Sequence, residues 1–126
     1  MDGVFDLFHV GHLDAIKQCS TLGDVVIGII SDADAKSYKR NPIIPELQRV
    51  ELIKSCKYVN EIIFPAPLIV DTQFIQKNNI QRVVHAFADE NDFQIQKHFF
   101  ENINLHRIEY SARINTSSII QKIKEV

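Results

Sequence analysis

Tryptophan is absent from this chain of 126 residues, cysteine occurs twice, and glycine and proline four times each. Cys19 and Cys56 lie far apart, so they do not read as a disulfide framework or a zinc cluster, and a reducing, cytoplasmic setting is the expectation. An excess of one charge is also missing. The formal net charge is −2 with both signs interspersed, which excludes the footprint of duplex nucleic acid or an anionic membrane. Any bound anion must be held locally. No apolar run approaches the roughly 20 residues that span a bilayer, and the first residues do not follow the basic, apolar, small-residue pattern of a secretory signal. A soluble protein without membrane insertion is therefore expected. Repeats, low-complexity tracts and linkers are lacking, and with 45% hydrophobic residues the chain can bury a core, so one domain over 1–126 is expected.

What is present is a hydrophobic pattern that keeps switching period, the mark of strands alternating with helices. A helix is expected from Val10 or Gly11 to a stop at Gly23, then the β-branched run VVIGII over 25–30 as a strand buried on both faces. Residues 31–45, rich in turn formers, read as a long loop, the kind that often carries function. Further helices are expected over 46–55, 71–77, 92–101 and 117–125, the last capped by Thr116 or Ser117. Strands are expected in YVNEIIF, in RVVHA and over 105–110. Right-handed crossovers then give an α/β fold, a Rossmann-like, doubly wound, mostly parallel sheet with helices on both faces and ligands at the carboxyl ends of its strands.

The stretch FDLFHVGH falls in the first βα loop. His9 would stand at the mouth of the helix and His12 in its first turn, where unpaired N–H groups and the macrodipole favour an anion. Gly11 keeps the backbone bare for an approaching phosphate. A shared metal is a competing use of the two imidazoles, although no third ligand is near in sequence. A plain helix start is another.

The segment DGVFDLFHVGH, followed by a helix and LGDVVIGIISD, resembles the cytidylyltransferase branch of the HxGH nucleotidyltransferases, especially the choline-phosphate and ethanolamine-phosphate cytidylyltransferases. YKRNPIIPELQR, CKYVNEIIFPAP and INTSSII continue the likeness in order along nearly the whole chain. The resemblance implies that His9 and His12 contact the α-phosphate of CTP, that Lys39 balances phosphate charge, and that Arg49 projects toward the nucleotide or the second substrate. It further implies nucleotide contacts from Gly3, Val4, Phe5, Asp6 and Gly11, and from Arg113, Thr116 and Ser117 near the last helix. Asp6, His85 and Asp89 would meet the acceptor, a small phosphomonoester. Each residue has a plainer alternative: a solvated lysine, a salt-bridging arginine, a turn or cap for Asp6, N-cap hydroxyls, a core histidine at 85, a loop-solvating carboxylate at 89 or 92.

By the same resemblance a magnesium ion bridges the phosphates of CTP, pyrophosphate leaves, and the product is a precursor for phospholipid synthesis. A homodimer is implied with Tyr58 near its interface, the alternative being a buried aromatic at a strand start. The sequence departs from its relatives in three places. Tyr110, Ser111, Ala112 and Arg113 stand where R-T-x-G is usual, with the arginine displaced. Leu68 follows Pro67 where relatives place an aromatic residue, leaving Phe87 and Phe93 as candidate faces for a quaternary ammonium. Only Met1 and Asp2 precede Gly3 where relatives have a central strand of about five residues, so a natural start upstream is expected. Ethanolamine-phosphate is thus favoured over choline-phosphate, with glycerol-phosphate or another phosphomonoester open. A catalytically silent nucleotide-binding or regulatory domain is the alternative from another class.

Overall fold

A computed structural model describes residues 1–110 and 114–126. In chain order it comprises β1 (Asp2–Gly3), α1 (Val10–Ser20), β2 (Val26–Ile29), α2 (Asp32–Tyr38), α3 (Glu46–Lys54), β3 (Glu61–Ile63), α4 (Thr72–Lys77), β4 (Val83–Phe87), α5 (Glu90–Gln96), a 3-10 turn (Lys97–Phe100), β5 (Leu105–Glu109) and α6 (Thr116–Lys124). β1, β2 and β3 form one sheet in that order, β4 and β5 another, and every pairing is parallel. The α/β class and the Rossmann-like arrangement are as expected.

Alternation along β4 shows why helices cover both faces. Val84 and Ala86 pack with Ala15 and Ile16 of α1 and Ile53 of α3, whereas Val83 and Phe87 pack with Phe99, Phe100 and the half-buried Phe74 and Phe93. Successive side chains of a strand point to opposite faces, so a two-sided core follows from the sequence VVHAF. Among the described residues no helix is long and apolar enough to cross a membrane.

Three local expectations need correction. The sheet is divided in two, because β1 has only two residues, Asp2 opposite Gly28 and Gly3 opposite Ile29, and is too short to carry a ladder to β4. The Met1 ammonium donates to Val26 O at 3.0 Å, the next rung beside β2. Residues 31–45 are not all loop: Ser31 Oγ accepts from Asp34 N, and α2 opens with Asp32 and Asp34 in its first turn. The same Ser and Asp residues that signal a turn serve as a helix start. The cap of α6 is Asn115, whose side chain accepts from Ser118 N at 2.8 Å, and not Thr116 or Ser117. That shift leaves the Thr116 hydroxyl available for another partner.

Candidate active site at the mouth of the first helix

A cleft of about 470 Å³ opens beyond the carboxyl ends of β1 and β4, where a doubly wound sheet gathers its ligands. His9, His12, Lys39, His85, Asp89 and Thr116 are among the residues that line it. One wall is the loop between β1 and α1, in which Phe5 and Leu7 take left-handed φ values of 56° and 51°. Non-glycine residues adopt that region at a cost, which persists where the surroundings over-determine it. Asp6 supplies the restraint: its buried carboxylate accepts from Ile43 N at 2.8 Å and from Ile44 N at 2.9 Å. Asp6 thus lines the cleft while tying the loop after α2 to the loop after β1.

The histidines are held by the backbone. His9 is the N-cap of α1 in an extended conformation, and its Nδ1 accepts from Gly11 N at 3.0 Å. His12 Nδ1 accepts from His9 N at 3.3 Å, completing a reciprocal cap. Because both Nδ1 atoms are acceptors, the ring proton of each neutral imidazole belongs on Nε2. The His9 Nε2 then donates to Thr116 Oγ1 at 3.2 Å, and that hydroxyl donates to Asp6 O at 3.0 Å. Two N–H donors are therefore fixed at the positive end of a helix, where an anion is favoured.

Positive charge on the two rings is suppressed by their surroundings. Burial pushes the His12 pKa down to about 3, with further lowering from neighbouring His9 and Lys39. Burial lowers that of His9 as well. The ring of His12 stacks on His9 at 3.8 Å and on Phe8 at 5.9 Å, with Phe5 and Tyr110 presenting edges. Lys39 is exposed at the rim, yet the cleft walls crowd it enough to lower its pKa, an effect opposed by Asp92 across the opening. Burial raises the phenols of Tyr38 and Tyr110, which stay protonated donors at neutral pH.

Two expected roles change. Arg49 does not reach the cleft. It is fully buried, and its guanidinium donates to Ile44 O at 3.0 Å, Val4 O at 2.7 Å, Ile30 O at 2.9 Å and Asp32 Oδ1 at 2.7 Å. It shares the inward face of α3 with Ile53, one turn on, so its fork enters the core beneath the loops and fastens them. Gly11 is bare for a different neighbour: a Cβ there would sit 2.7 Å from Ile114 O and 2.8 Å from the His9 ring. The glycine admits the segment leading into α6. Arg113 lies outside the described residues.

Gly3, Val4, Phe5 and Ser117 line the cleft as expected. So do Tyr38, Arg40 and Tyr110, which sequence reasoning did not assign. Tyr38 and Arg40 flank Lys39 inside the YKR segment, and Tyr110 occupies a position where relatives differ; those were the available signals. At the far end Asp89 caps α5, accepting from Asp92 N at 2.8 Å, and His85 bonds Asp2 at 2.6 Å. The proposed ring faces for a quaternary ammonium are engaged elsewhere. Phe87 is fully buried and Phe93 lies under the Arg107 guanidinium, 4.1 Å from its centroid.

A parallel α/β sheet with two imidazoles fixed at the mouth of its first helix and a cleft beyond the carboxyl ends of its strands defines the class, a Rossmann-like domain. Residues 1–122 match the cytidylyltransferase-like family, and the chain belongs to it. It is 42% identical over 89 residues to the ethanolamine-phosphate cytidylyltransferase of Dictyostelium discoideum, covering 68% of this chain and 25% of that protein. It is 35% identical to the FAD synthase of Thermococcus kodakarensis, covering 98% of this chain and 89% of that one. The chain spans between 18% and 27% of the length of the ethanolamine-phosphate relatives it matches. A solved structure, the lipopolysaccharide core biosynthesis protein of Thermoplasma volcanium, shares the fold with a TM-score of 0.64 at 24% identity, covering 87% of this chain and 92% of that one.

Proposed function

We propose that this domain transfers a cytidylyl group from magnesium-bound CTP to phosphoethanolamine, releasing pyrophosphate and supplying a phospholipid precursor. The observation that carries the reading is the pair of fixed Nε2 donors of His9 and His12 at the mouth of α1, beside Lys39. An acceptor phosphate is already anionic at neutral pH, so the site needs no strong base. An acceptor oxygen attacks the α-phosphorus, the bond to the β-phosphate bridging oxygen breaks, and pyrophosphate leaves with its electrons. The site must align two polyanions and stabilise charge on the group in transfer, which donors and cations do. Thr116 and Ser117 open α6 at the edge of the cleft, and the amides there would hold the outer phosphates. The magnesium would enter as part of its nucleotide, bridging phosphate oxygens.

Phosphoethanolamine is preferred to phosphocholine because Phe87 and Phe93 offer no open ring, while Tyr38 has the Lys39 ammonium 5.6 Å from its centroid. A primary ammonium instead finds Asp89 and His85 at that end of the cleft. One observation favours a second reading. The similarity to an FAD synthase runs the length of both chains, so flavin mononucleotide, itself a phosphomonoester, with ATP as donor is the alternative pair. We assign the active protein to the cytoplasm as a homodimer with Tyr58 near the contact, its ring already flanked by Lys17 and Lys57.

The test is pyrophosphate release from CTP or ATP, with magnesium, against phosphoethanolamine, phosphocholine, glycerol phosphate and flavin mononucleotide. Release with CTP and phosphoethanolamine is expected. Release only with ATP and the flavin establishes the second reading. Silence with every pair, while CTP still protects against unfolding, overturns transfer and leaves a nucleotide-binding domain.

A further inference from the structure

Charges of opposite sign are used differently in this cleft. Its carboxylates are engaged by the fold: Asp6 accepts from Ile43 N and Ile44 N, Asp92 accepts from Ala88 N at 2.9 Å and from Gln96 Nε2 at 2.6 Å, and Asp89 accepts from Asp92 N. The cations among the described lining residues are Lys39 and Arg40, both exposed. Neither meets a carboxylate of the described residues within ion-pair distance. The two are nonetheless near neighbours, since burial lowers the Lys39 pKa and Arg40 lowers it further. Like charges kept together with no acid beside them favour an anion from outside.

Two anchors set where Arg40 stands. Before it, the Tyr38 ring meets Phe99 edge-on with centroids 5.3 Å apart. After it, the Asp6 carboxylate pins Ile43 and Ile44, and Arg49 Nε donates to Ile44 O. The Thr116 hydroxyl donates to the backbone oxygen of that same Asp6. The strap over 39–45 and the start of α6 therefore converge on one residue. We infer that Arg40 binds the β- and γ-phosphates of the nucleotide, together with the amides at the start of α6. A guanidinium fork can hold two phosphate oxygens at once, which an ammonium does not. Lys39 is left to act at the α-phosphate, and charge building on the departing pyrophosphate meets a cation. This rests on the reading above that the triphosphate lies at the mouth of α1.

The experiment is calorimetric titration of the intact chain and of Arg40→Gln with CTP and with CMP, magnesium present. CMP lacks the outer phosphates and serves as the internal control. CTP affinity should fall about tenfold or more in the variant, the scale of a lost hydrogen bond between charged groups, while CMP affinity stays the same. Lys36→Gln removes an equal charge from an exposed position of α2 outside the cleft lining, and should leave both affinities unchanged. Unchanged CTP affinity in Arg40→Gln overturns the inference. Equal losses for CTP and CMP, or a CTP loss as large in Lys36→Gln, also overturn it, because the effect would then lie elsewhere on the nucleotide or in the general field of the protein. So does a large drop in melting temperature of Arg40→Gln, which would make the arginine a support of the fold. Should the wild-type protein bind no CTP, the proposed function fails instead, a result distinct from a variant that binds CTP as well as wild type.

Discussion

His9 and His12 stack ring on ring, 3.8 Å between centroids, and the Nδ1 of each accepts from a backbone N–H at the start of α1. The contact leaves two donors side by side and no room for two cations. An incoming phosphate changes that balance, because an anion favours proton retention on both rings. Substitution should show the size of the effect. His9→Ala, and His12→Gln to spare the packing, should each lower turnover by roughly 10²–10³-fold, the loss expected for one transition-state donor. Far-ultraviolet circular dichroism should be unchanged, and near-normal turnover in both would remove the histidines from the chemistry.

Acid should unfold the protein early. His12 titrates near 6.5 in an unfolded chain and near 3 in the fold, so between those values the unfolded state holds a proton that the native state lacks. Stability then falls as pH drops below about 6.5, by up to ~1.4 kcal/mol per pH unit for this one group, and levels off near 3. His9 acts in the same direction. Urea unfolding at pH 7.5, 6 and 5 measures the slope, which should flatten in His12→Gln.

Arg49 joins four acceptors from the loops after β1 and β2, the start of α2 and the loop before α3. Arg49→Ala should cost about 3–5 kcal/mol, because it strands buried carbonyls and part of the Asp32 charge. Arg49→Lys should recover little, since one ammonium cannot span the fork. Chemical denaturation settles both values, and a variant within 1 kcal/mol of wild type, a change usual for open surface sites, would show the fork to be dispensable.

Strand and helix positions were legible wherever one period persisted: VVIGII and RVVHA read as strands, and each lies in a parallel ladder. Helix α2 was not, because SDADA carries turn residues that become a cap and an acidic first turn once Ala35 is buried. The placement of the histidines was legible, since spacing alone puts both rings at one helix mouth, and His9 caps α1 with His12 in its first turn. Arg49 and Gly11 were legible as special positions but not in their roles. A guanidinium paired with loop carbonyls, and a Cβ excluded by Ile114 O, depend on segments distant in sequence. The Asp2 to His85 bond, across 83 positions, carries no local signal at all.

Gly11→Ala offers a sharp sign test. In an open helix alanine is favoured over glycine by about 1 kcal/mol. Here the added Cβ meets a backbone oxygen at 2.7 Å, so the segment before α6 must move. The variant should be less stable and should bind CTP more weakly, as calorimetry would show; a stabilised variant with normal affinity would mean that the approach of Ile114 to α1 is not needed.

A crystal structure of the protein with CTP and magnesium decides whether the mouth of α1 is where the nucleotide reacts. The Nε2 atoms of His9 and His12 should both lie within about 3.2 Å of α-phosphate oxygens, the range of a real hydrogen bond. A triphosphate bound elsewhere, with both rings still facing only Thr116 and their aromatic neighbours, would contradict it.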